Sequence, residues 1–342
     1  MATRGLRTFF TVLRIALAFG LLFYLGFSGA IQWSALLHMA DAWPLSLVAL
    51  CLLLSSMILL AFRLRLLLKP RGFDLSPAAS IRLTLIGVFF NNCLPGSASG
   101  DFVKIYYATK GNQGRRLEVT TIILLDRAIG MFALLVWPLL AVPFFADLTA
   151  GLPILRGLLW GGAAVAAAMV AGLWVGSSQG VLNHPWTTRA LARIPMGRHI
   201  ENILRTLHGY RAYPAVLLGT IGLSLVVQTL VIGATLLATM AMQHGDVAWQ
   251  MVLLMPLGFL ANVLPLTPGG LGVGEAAFDT LFSLAGLSGG AETLLGWRLL
   301  TLLIGLLGLV FYLQGRKRFV YDEPQRGQQG ASLAMSKQHA SR

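Results

Sequence analysis

Long apolar stretches, separated by short polar connections, make up most of this chain. A helix that crosses about 30 Å of hydrocarbon needs about 20 apolar residues, because each residue advances it by about 1.5 Å. Six segments reach this length and predict spanning helices: 10–28, 44–63, 120–143, 155–176, 214–240 and 292–314. The pattern therefore predicts an all-α integral membrane protein.

Two further apolar segments, 78–110 and 249–287, are each interrupted by polar residues. The interruption in the first reads NCLPGSASG from Asn92, and the one in the second reads NVLPLTPGG from Asn262. Both fit the pattern N-x-L-P-x-[ST]-x-x-G. We call these two polar interruptions the breaks, and we interpret their shared pattern as an internal repeat.

Composition and charge agree with a membrane protein and argue against a nucleic-acid partner. Hydrophobic residues make up 56% of the chain and charged residues 11%, which is outside the range of soluble domains. The net charge of +13 favours nucleic acid at first sight. However, Lys and Arg cluster in alternate connections: Arg4 and Arg7; Arg63, Arg65, Lys69 and Arg71; Lys110, Arg115 and Arg116; Arg189, Arg193, Arg198, Arg205 and Arg211; Arg316, Lys317 and Arg318. This positive-inside distribution predicts a multi-pass membrane protein with both termini in the cytoplasm.

The same charge distribution orients the two broken segments. Cytoplasmic connections flank the first and outer connections flank the second, so the two enter the membrane from opposite sides. Broken hairpins at corresponding places in two inverted halves mark the binding site of many transporters. We therefore predict six spanning helices plus two re-entrant helical hairpins in a pseudo-inverted repeat. Two hairpins of short spans remain the alternative, although the arm from Asp101 to Lys110 rises only about 15 Å.

The predicted domains follow from this repeat. Residues 1–315 form one transmembrane domain, with a first half of about 1–145 and a second half of about 146–315. Residues 316–342 are polar and basic, and they predict a disordered cytoplasmic tail. Apolar residues spaced i, i+3, i+4 and i+7 from Ile200 to Leu207 predict a short basic amphipathic helix on the inner leaflet.

A new helix follows each break, and its first N–H groups have no partner within that helix. Such a helix start attracts an anion, for example a lipid phosphate. The candidate substrate-binding residues are those of the breaks and the charges within the spans. They are Asn92, Pro95, Gly96, Ser97, Gly100, Asp101, Asp126, Arg127, Asn262, Pro265, Thr267, Gly269, Gly270, Glu275 and Arg298.

The charged candidates have alternative interpretations. Asp101 and Glu275 either cap their helices or titrate or hold a cation during transport. Asp126 and Arg127 point about 100° apart on a helix, so each needs a partner elsewhere. In one interpretation, the planar guanidinium of Arg127 or Arg298 binds a phosphate through two parallel hydrogen bonds. In the other, the arginine forms a structural pair, for instance Arg298 with Asp126.

Few signatures of catalysis occur in the sequence. It contains no P-loop, HExxH or Asp-x-Asp pair, and its six His residues lack metal-ligand spacing. We therefore predict no cofactor, no metal and no catalytic residue. An enzyme that uses Asp101 or Glu275 as its acid or base remains the alternative.

Three segments carry a resemblance to a known family: NNCLPGSASGDFVKIYYATK, LLDRAIGMFALL and LPLTPGGLGVGEAAF. They resemble the signature segments of the lysylphosphatidylglycerol synthase transmembrane-region family, also called flippase-like domain proteins, and the resemblance covers roughly 8–315. The resemblance extends to Asn92, Pro95, Gly96, Gly100, Asp101, Asp126, Arg127, Pro265, Pro268, Gly269, Gly270, Gly272 and Glu275. The first break reads SASGD where Gly-Gly-Asp is common, so Ser99 narrows the conformational freedom of that turn.

The resemblance implies translocation of an anionic lipid or a lipid-linked glycan between the leaflets. The full-length synthases carry a soluble aminoacyl-transferase domain after the membrane part, and here we expect a stand-alone member without lysyl-transfer activity. The alternative is a membrane-embedded enzyme or accessory subunit in hopanoid or glycolipid biosynthesis. The expected partners are membrane lipids, anionic or polyprenyl-linked, together with lipid-modifying enzymes.

Overall fold

The computed structural model describes residues 33–93, 99–109, 113–182, 184, 197–243, 248–263 and 272–314. Over these ranges the regular elements are helices. In chain order they are α1 (Trp33–Asp41), α2 (Trp43–Leu68), α3 (Pro77–Cys93), α4 (Ser99–Thr109), α5 (Arg116–Ala141), α6 (Ala146–Gly151), α7 (Pro153–Gly176), α8 (Gln179–Leu182), α9 (Gly197–Gly209), α10 (Pro214–Gln243), α11 (Met251–Val263), α12 (Val273–Leu284) and α13 (Gly290–Leu313). The predicted span 10–28, the tail and the centres of both breaks lie outside the described residues.

Within the described ranges, five helices are long and apolar enough to cross a membrane: α2, α5, α7, α10 and α13. They correspond to five of the six predicted spans, so the prediction of a multi-pass all-α membrane protein is confirmed. Their outward surface is apolar, with Trp160 73% and Leu218 70% exposed. Large exposed apolar side chains suit contact with lipid tails, because hydrocarbon is as apolar as they are.

The two broken segments each form a pair of short helices. In the first, α3 has 17 residues and α4 has 11; in the second, α11 has 13 and α12 has 12. The starts of α11, α12 and α13 follow those of α3, α4 and α5 at one constant interval along the chain. The repeat found in the breaks therefore extends to the helices around them.

The helices of the two halves pack against one another through equivalent contacts. The spans that precede the hairpins, α2 and α10, share a long contact. The first arm α3 packs on α13, the span after the other hairpin, and the first arm α11 packs on α5 in the corresponding way. This exchange of contacts is what an approximate two-fold axis between the halves produces.

The contact between α3 and α13 is antiparallel and unusually close. Gly308 lies against Leu85, and a Cβ at Gly308 would be only 2.0 Å from the Leu85 carbonyl oxygen. Farther along, the Asn92 side chain reaches Thr301. A glycine is needed where the two backbones touch, because a methyl group has no room there.

Helix α9 is the predicted amphipathic helix, and it packs on α5 and α7. The chain then places Tyr210 in the interior, where its hydroxyl donates to the Leu67 carbonyl oxygen at 2.6 Å. Burial raises the pKa of the Tyr210 phenol above its ordinary value. Nearby, Arg71 pairs with Glu118 at 2.6 Å. These contacts fix the ends of α2 and α5 on the side that carries the basic connections.

Candidate functional site

The start of α4 is held tightly against the end of α3. The Asn91 Oδ1 atom accepts a hydrogen bond from the Gly100 backbone N–H at 2.7 Å, and the Ser99 hydroxyl donates to the Phe90 carbonyl oxygen at 2.9 Å. A Cβ at Gly100 would lie 2.0 Å from the Gly87 carbonyl oxygen. Ser99, the departure from the family pattern, thus contributes a hydrogen bond that a glycine lacks.

The start of α12 repeats this arrangement. A Cβ at Gly274 would meet the Asn262 Oδ1 atom at 2.6 Å, as one at Gly100 would meet the Asn91 side chain. Glu275 follows Gly274 as Asp101 follows Gly100. The Glu275 carboxylate also accepts from the Gly272 N–H at 2.8 Å, which supports its predicted role as a helix cap. Gly272 adopts a φ of +80°, a conformation that favours glycine.

Each of these two carboxylates is paired with an arginine from the span that follows it. Asp101 contacts Arg127 of α5, and Glu275 lies 3.3 Å from Arg298 of α13. Arg298 also donates to Asn262, which precedes it by 36 residues, the separation that Asn91 and Arg127 have as well. An asparagine, a carboxylate and an arginine therefore recur in both halves.

A third ion pair lies deeper in the molecule. Arg63 donates to the two oxygens of the Asp126 carboxylate at 2.7 and 2.9 Å, and to the Ser224 hydroxyl at 2.9 Å. The two charged side chains are only 5% and 10% exposed. The pair joins α2, α5 and α10. A planar guanidinium matches a carboxylate in this two-bond geometry.

These pairs answer two expectations from the sequence. Asp126 and Arg127 do find separate partners, as their angular separation requires. The suggested pair of Asp126 with Arg298 is wrong, because Arg63 binds Asp126 and Glu275 binds Arg298. The assignment of Arg63 to a basic connection is also wrong, since α2 continues to Leu68 and buries it.

One turn of α13 contacts both breaks. Asn92 donates through Nδ2 to the Thr301 carbonyl oxygen at 2.9 Å, and Arg298, one turn earlier, binds Asn262 and Glu275. Although the sequence repeat aligns Asn92 with Asn262, the equivalent contact belongs to Asn91. Asn92 instead connects the two halves.

A cavity of about 280 Å³ lies between the ion pairs. Its polar wall consists of Arg63, Thr84, Asp101, Lys104, Asp126, Arg127 and Gln228. Val263, the second residue of the second break, also lines it, and Asp101 directly follows the first break, so residues at both breaks border one space. The Gln228 Nε2 atom is buried and has no hydrogen-bond partner among the described residues.

The site therefore differs from the predicted one in its membership. Of the candidates, Asn92, Gly100, Asp101, Asp126, Arg127, Asn262, Glu275 and Arg298 are described. Pro95, Gly96, Ser97, Pro265, Thr267, Gly269 and Gly270 lie outside the described residues. Sequence reasoning missed Asn91, Arg63, Lys104 and Gln228. The spacing of Lys104 three residues after Asp101 on a helix was a usable signal, whereas Arg63 and Gln228 are brought in only by packing.

The part of the chain that the structure describes contains no group of three or more His, Cys, Asp or Glu side chains that could hold a metal ion. Comparisons of this chain with curated proteins and with solved structures gave no significant match. The comparison with family models did give one. The model described as "Lysylphosphatidylglycerol synthase TM region" matches residues 11–308, which is most of the chain.

Proposed function

Because this chain belongs to the lysylphosphatidylglycerol synthase transmembrane-region family, we propose that it moves an anionic lipid or a lipid-linked glycan between the leaflets of a bacterial inner membrane. The observation that carries the proposal is the cavity between Asp101–Arg127 and Arg63–Asp126, which residues beside both breaks border. Charged side chains inside a membrane domain are costly and mark substrate pathways by default. Both termini lie in the cytoplasm in this proposal.

The depth of the breaks supports the proposal. Helix α13 has 24 residues and is about 36 Å long, and Thr301 lies near its middle. Asn92, at the end of α3, contacts that position, and Asp101 contacts Arg127 near the middle of α5. We therefore favour two re-entrant hairpins that enter from opposite sides and end near the membrane midplane.

Helix α4 has the character of a boundary between the cavity and the lipid. Its Asp101 and Lys104 side chains are 13% and 15% exposed, whereas Phe102 and Tyr106 are 71% and 61% exposed. In the proposed mechanism, a head group passes along the inner, charged face of α4. The acyl or prenyl chains stay in the bilayer beside its apolar face.

The arginines of the two halves hold the head group in turn. A guanidinium binds a phosphate through two parallel hydrogen bonds, and Arg127 and Arg298 present one such group in each half. Asp101 and Glu275 compensate these charges in the empty protein. The breaks contribute Asn92, Pro95, Gly96, Ser97 and Gly100 from the first half and Asn262, Pro265, Thr267, Gly269 and Gly270 from the second.

The test is lipid redistribution in vesicles that contain the purified protein. Phosphatidylglycerol with a fluorescent head-group label is placed in both leaflets, and an impermeant quencher reports the fraction that reaches the outer leaflet. We expect the protein to accelerate this exchange, and Arg127→Gln and Arg298→Gln to slow it about tenfold or more.

Arg156→Gln is the matched control, because Arg156 donates to the backbone carbonyls of Thr149 and Ala150 and lies away from the cavity. Vesicles with the wild-type protein that exchange lipid no faster than empty vesicles would refute the proposal. Chemical modification of the lipid without redistribution would instead support a membrane-embedded enzyme of lipid biosynthesis.

A further inference from the structure

The cavity wall carries more positive than negative charge. Asp101 faces two cations, with Lys104 Nζ 3.3 Å from Oδ1 and Arg127 in contact with Oδ2. The neighbouring pair, Arg63 with Asp126, is balanced one to one. The lining therefore has a surplus of one positive charge, which attracts an anion strongly where water is scarce.

The Lys104 side chain is positioned by the absence of a side chain on the facing helix. A Cβ at Gly87 of α3 would lie 2.6 Å from Lys104 Cε and 3.3 Å from Cγ. The lysine stem thus lies directly on the α3 backbone, and its ammonium group is directed to Asp101 and the cavity. Lysine carries its charge on a flexible stem, so the ammonium group changes partner easily.

A third donor lines the same cavity. The Gln228 Nε2 atom, on α10, is buried and finds no acceptor among the described residues. Buried donors are normally satisfied, so an occupant rich in acceptor oxygens suits this wall. The volume of about 280 Å³ holds roughly nine water molecules. That is room enough for a phosphate group.

Resting on the proposed function, we propose that Lys104, Arg127 and Gln228 bind the phosphate of the lipid head group and that Asp101 is the resident counter-ion that this phosphate replaces. In the empty protein the Asp101 carboxylate compensates both cations. In the loaded protein a phosphate oxygen takes the place of one carboxylate oxygen on Lys104. Asp101 thereby competes with the ligand.

The experiment is a calorimetric titration of the purified full chain in detergent. The probes are dihexanoyl phosphatidylglycerol, a soluble lipid, and inorganic phosphate, which separates a lipid phosphate from a free one. We expect the lipid to bind, Lys104→Gln to weaken it about tenfold or more, and Lys104→Arg to bind it within about threefold of wild type. Asp101→Asn removes the competitor and is expected to tighten binding about tenfold.

Lys69→Gln is the matched control, because Lys69 lies at the end of α2 and does not line the cavity. Lys104→Gln with wild-type affinity overturns the proposal, and so does Asp101→Asn with weaker affinity. Inorganic phosphate that binds as tightly as the lipid, with the same dependence on Lys104, overturns the lipid assignment. Both Lys104 variants keep the contact between Asp101 and Arg127, so they decide the question even if Asp101→Asn fails to fold.

The vesicle experiment separates this proposal from the function on which it rests. Equal exchange rates for wild type and Lys104→Gln leave the proposed function intact and remove the role of Lys104. Absence of exchange with the wild type removes the proposed function, and the titration still determines whether Lys104 and Asp101 compete for a phosphate.

Discussion

At the scale of single residues, the ion pairs of the candidate site fall into two kinds. The Arg63–Asp126 pair is almost fully buried and has complete two-bond geometry, with a further hydrogen bond to Ser224. The Asp101 and Glu275 pairs border the breaks, are less completely buried, and each combine a carboxylate with several donors. We therefore expect the first kind to stabilise the fold and the second kind to take part in substrate binding.

Arg63→Gln tests the first kind. The substitution leaves the Asp126 carboxylate buried without its cation, which costs about 3–5 kcal/mol of unfolding free energy. The control is Arg205→Gln, whose salt bridge to Glu201 is exposed and is expected to contribute only about 0.5 kcal/mol. Thermal unfolding in detergent measures both, and an equal loss of stability in the two variants would contradict the assignment.

Glu275→Gln tests the second kind. The glutamine oxygen still accepts from the Gly272 N–H, so the helix cap persists, but the charge that compensates Arg298 is lost. We expect the transport rate to fall to about one fifth of the wild-type rate or below. The unfolding temperature should stay close to that of wild type. An unchanged transport rate would show that Glu275 acts only as a helix cap.

At the scale of helices, close approach decides which elements pack together. The described parts of the four hairpin helices have 11 to 17 residues, shorter than the about 20 residues of a typical span. They are stabilised by contacts with full-length helices, above all α3 with α13, where Gly308 allows the backbones to touch.

Gly308→Ala tests this contact. The added methyl group would lie 2.0 Å from the Leu85 carbonyl oxygen, so α3 and α13 must separate, at a cost of about 1–3 kcal/mol. Gly161→Ala on α7 is the control, because a Cβ there meets no atom within 4 Å. Thermal unfolding should show a loss for the first variant alone. If the two variants unfold at the same temperature, the close contact is not required.

At the scale of the whole molecule, two similar halves exchange contacts through their hairpins. Asn92 of the first half binds Thr301 on α13, and Arg298, one turn earlier on α13, binds Asn262 of the second half's hairpin. In the proposed transport mechanism, α13 couples the two hairpins, as alternating access to a central cavity requires.

Cysteine labelling tests the depth of the hairpins. In a background without Cys51 and Cys93, single cysteines at Gly96 and Gly269 are expected to react slowly with impermeant reagents from either side of the membrane. A cysteine at Asp147, an exposed polar residue in a predicted outer connection, is the accessible control. Rapid labelling of Gly96 from the outer side would show that the first hairpin crosses completely, and would remove the midplane site.

The sequence by itself determined the features that depend on local composition and spacing. Apolar length defined the spans, the alternation of Arg and Lys defined the predicted orientation, and the repeated Asn-x-Leu-Pro pattern identified both breaks. The starts of α4 and α12 followed from the same pattern, because a run of proline, glycine and hydroxyl residues interrupts a helix more strongly than a single proline or glycine does. These signals need no knowledge of which helices are neighbours.

Only the tertiary structure decided which charged and polar groups contact one another. Arg63 and Asp126 are 63 residues apart in the chain, and Asn92 and Thr301 are 209 apart, so no local pattern joins either pair. Partners of this kind are selected when helices pack and bury a charge that must then be compensated. The cavity and its cationic surplus have the same origin, since they exist only where separate helices fail to fill the space between them.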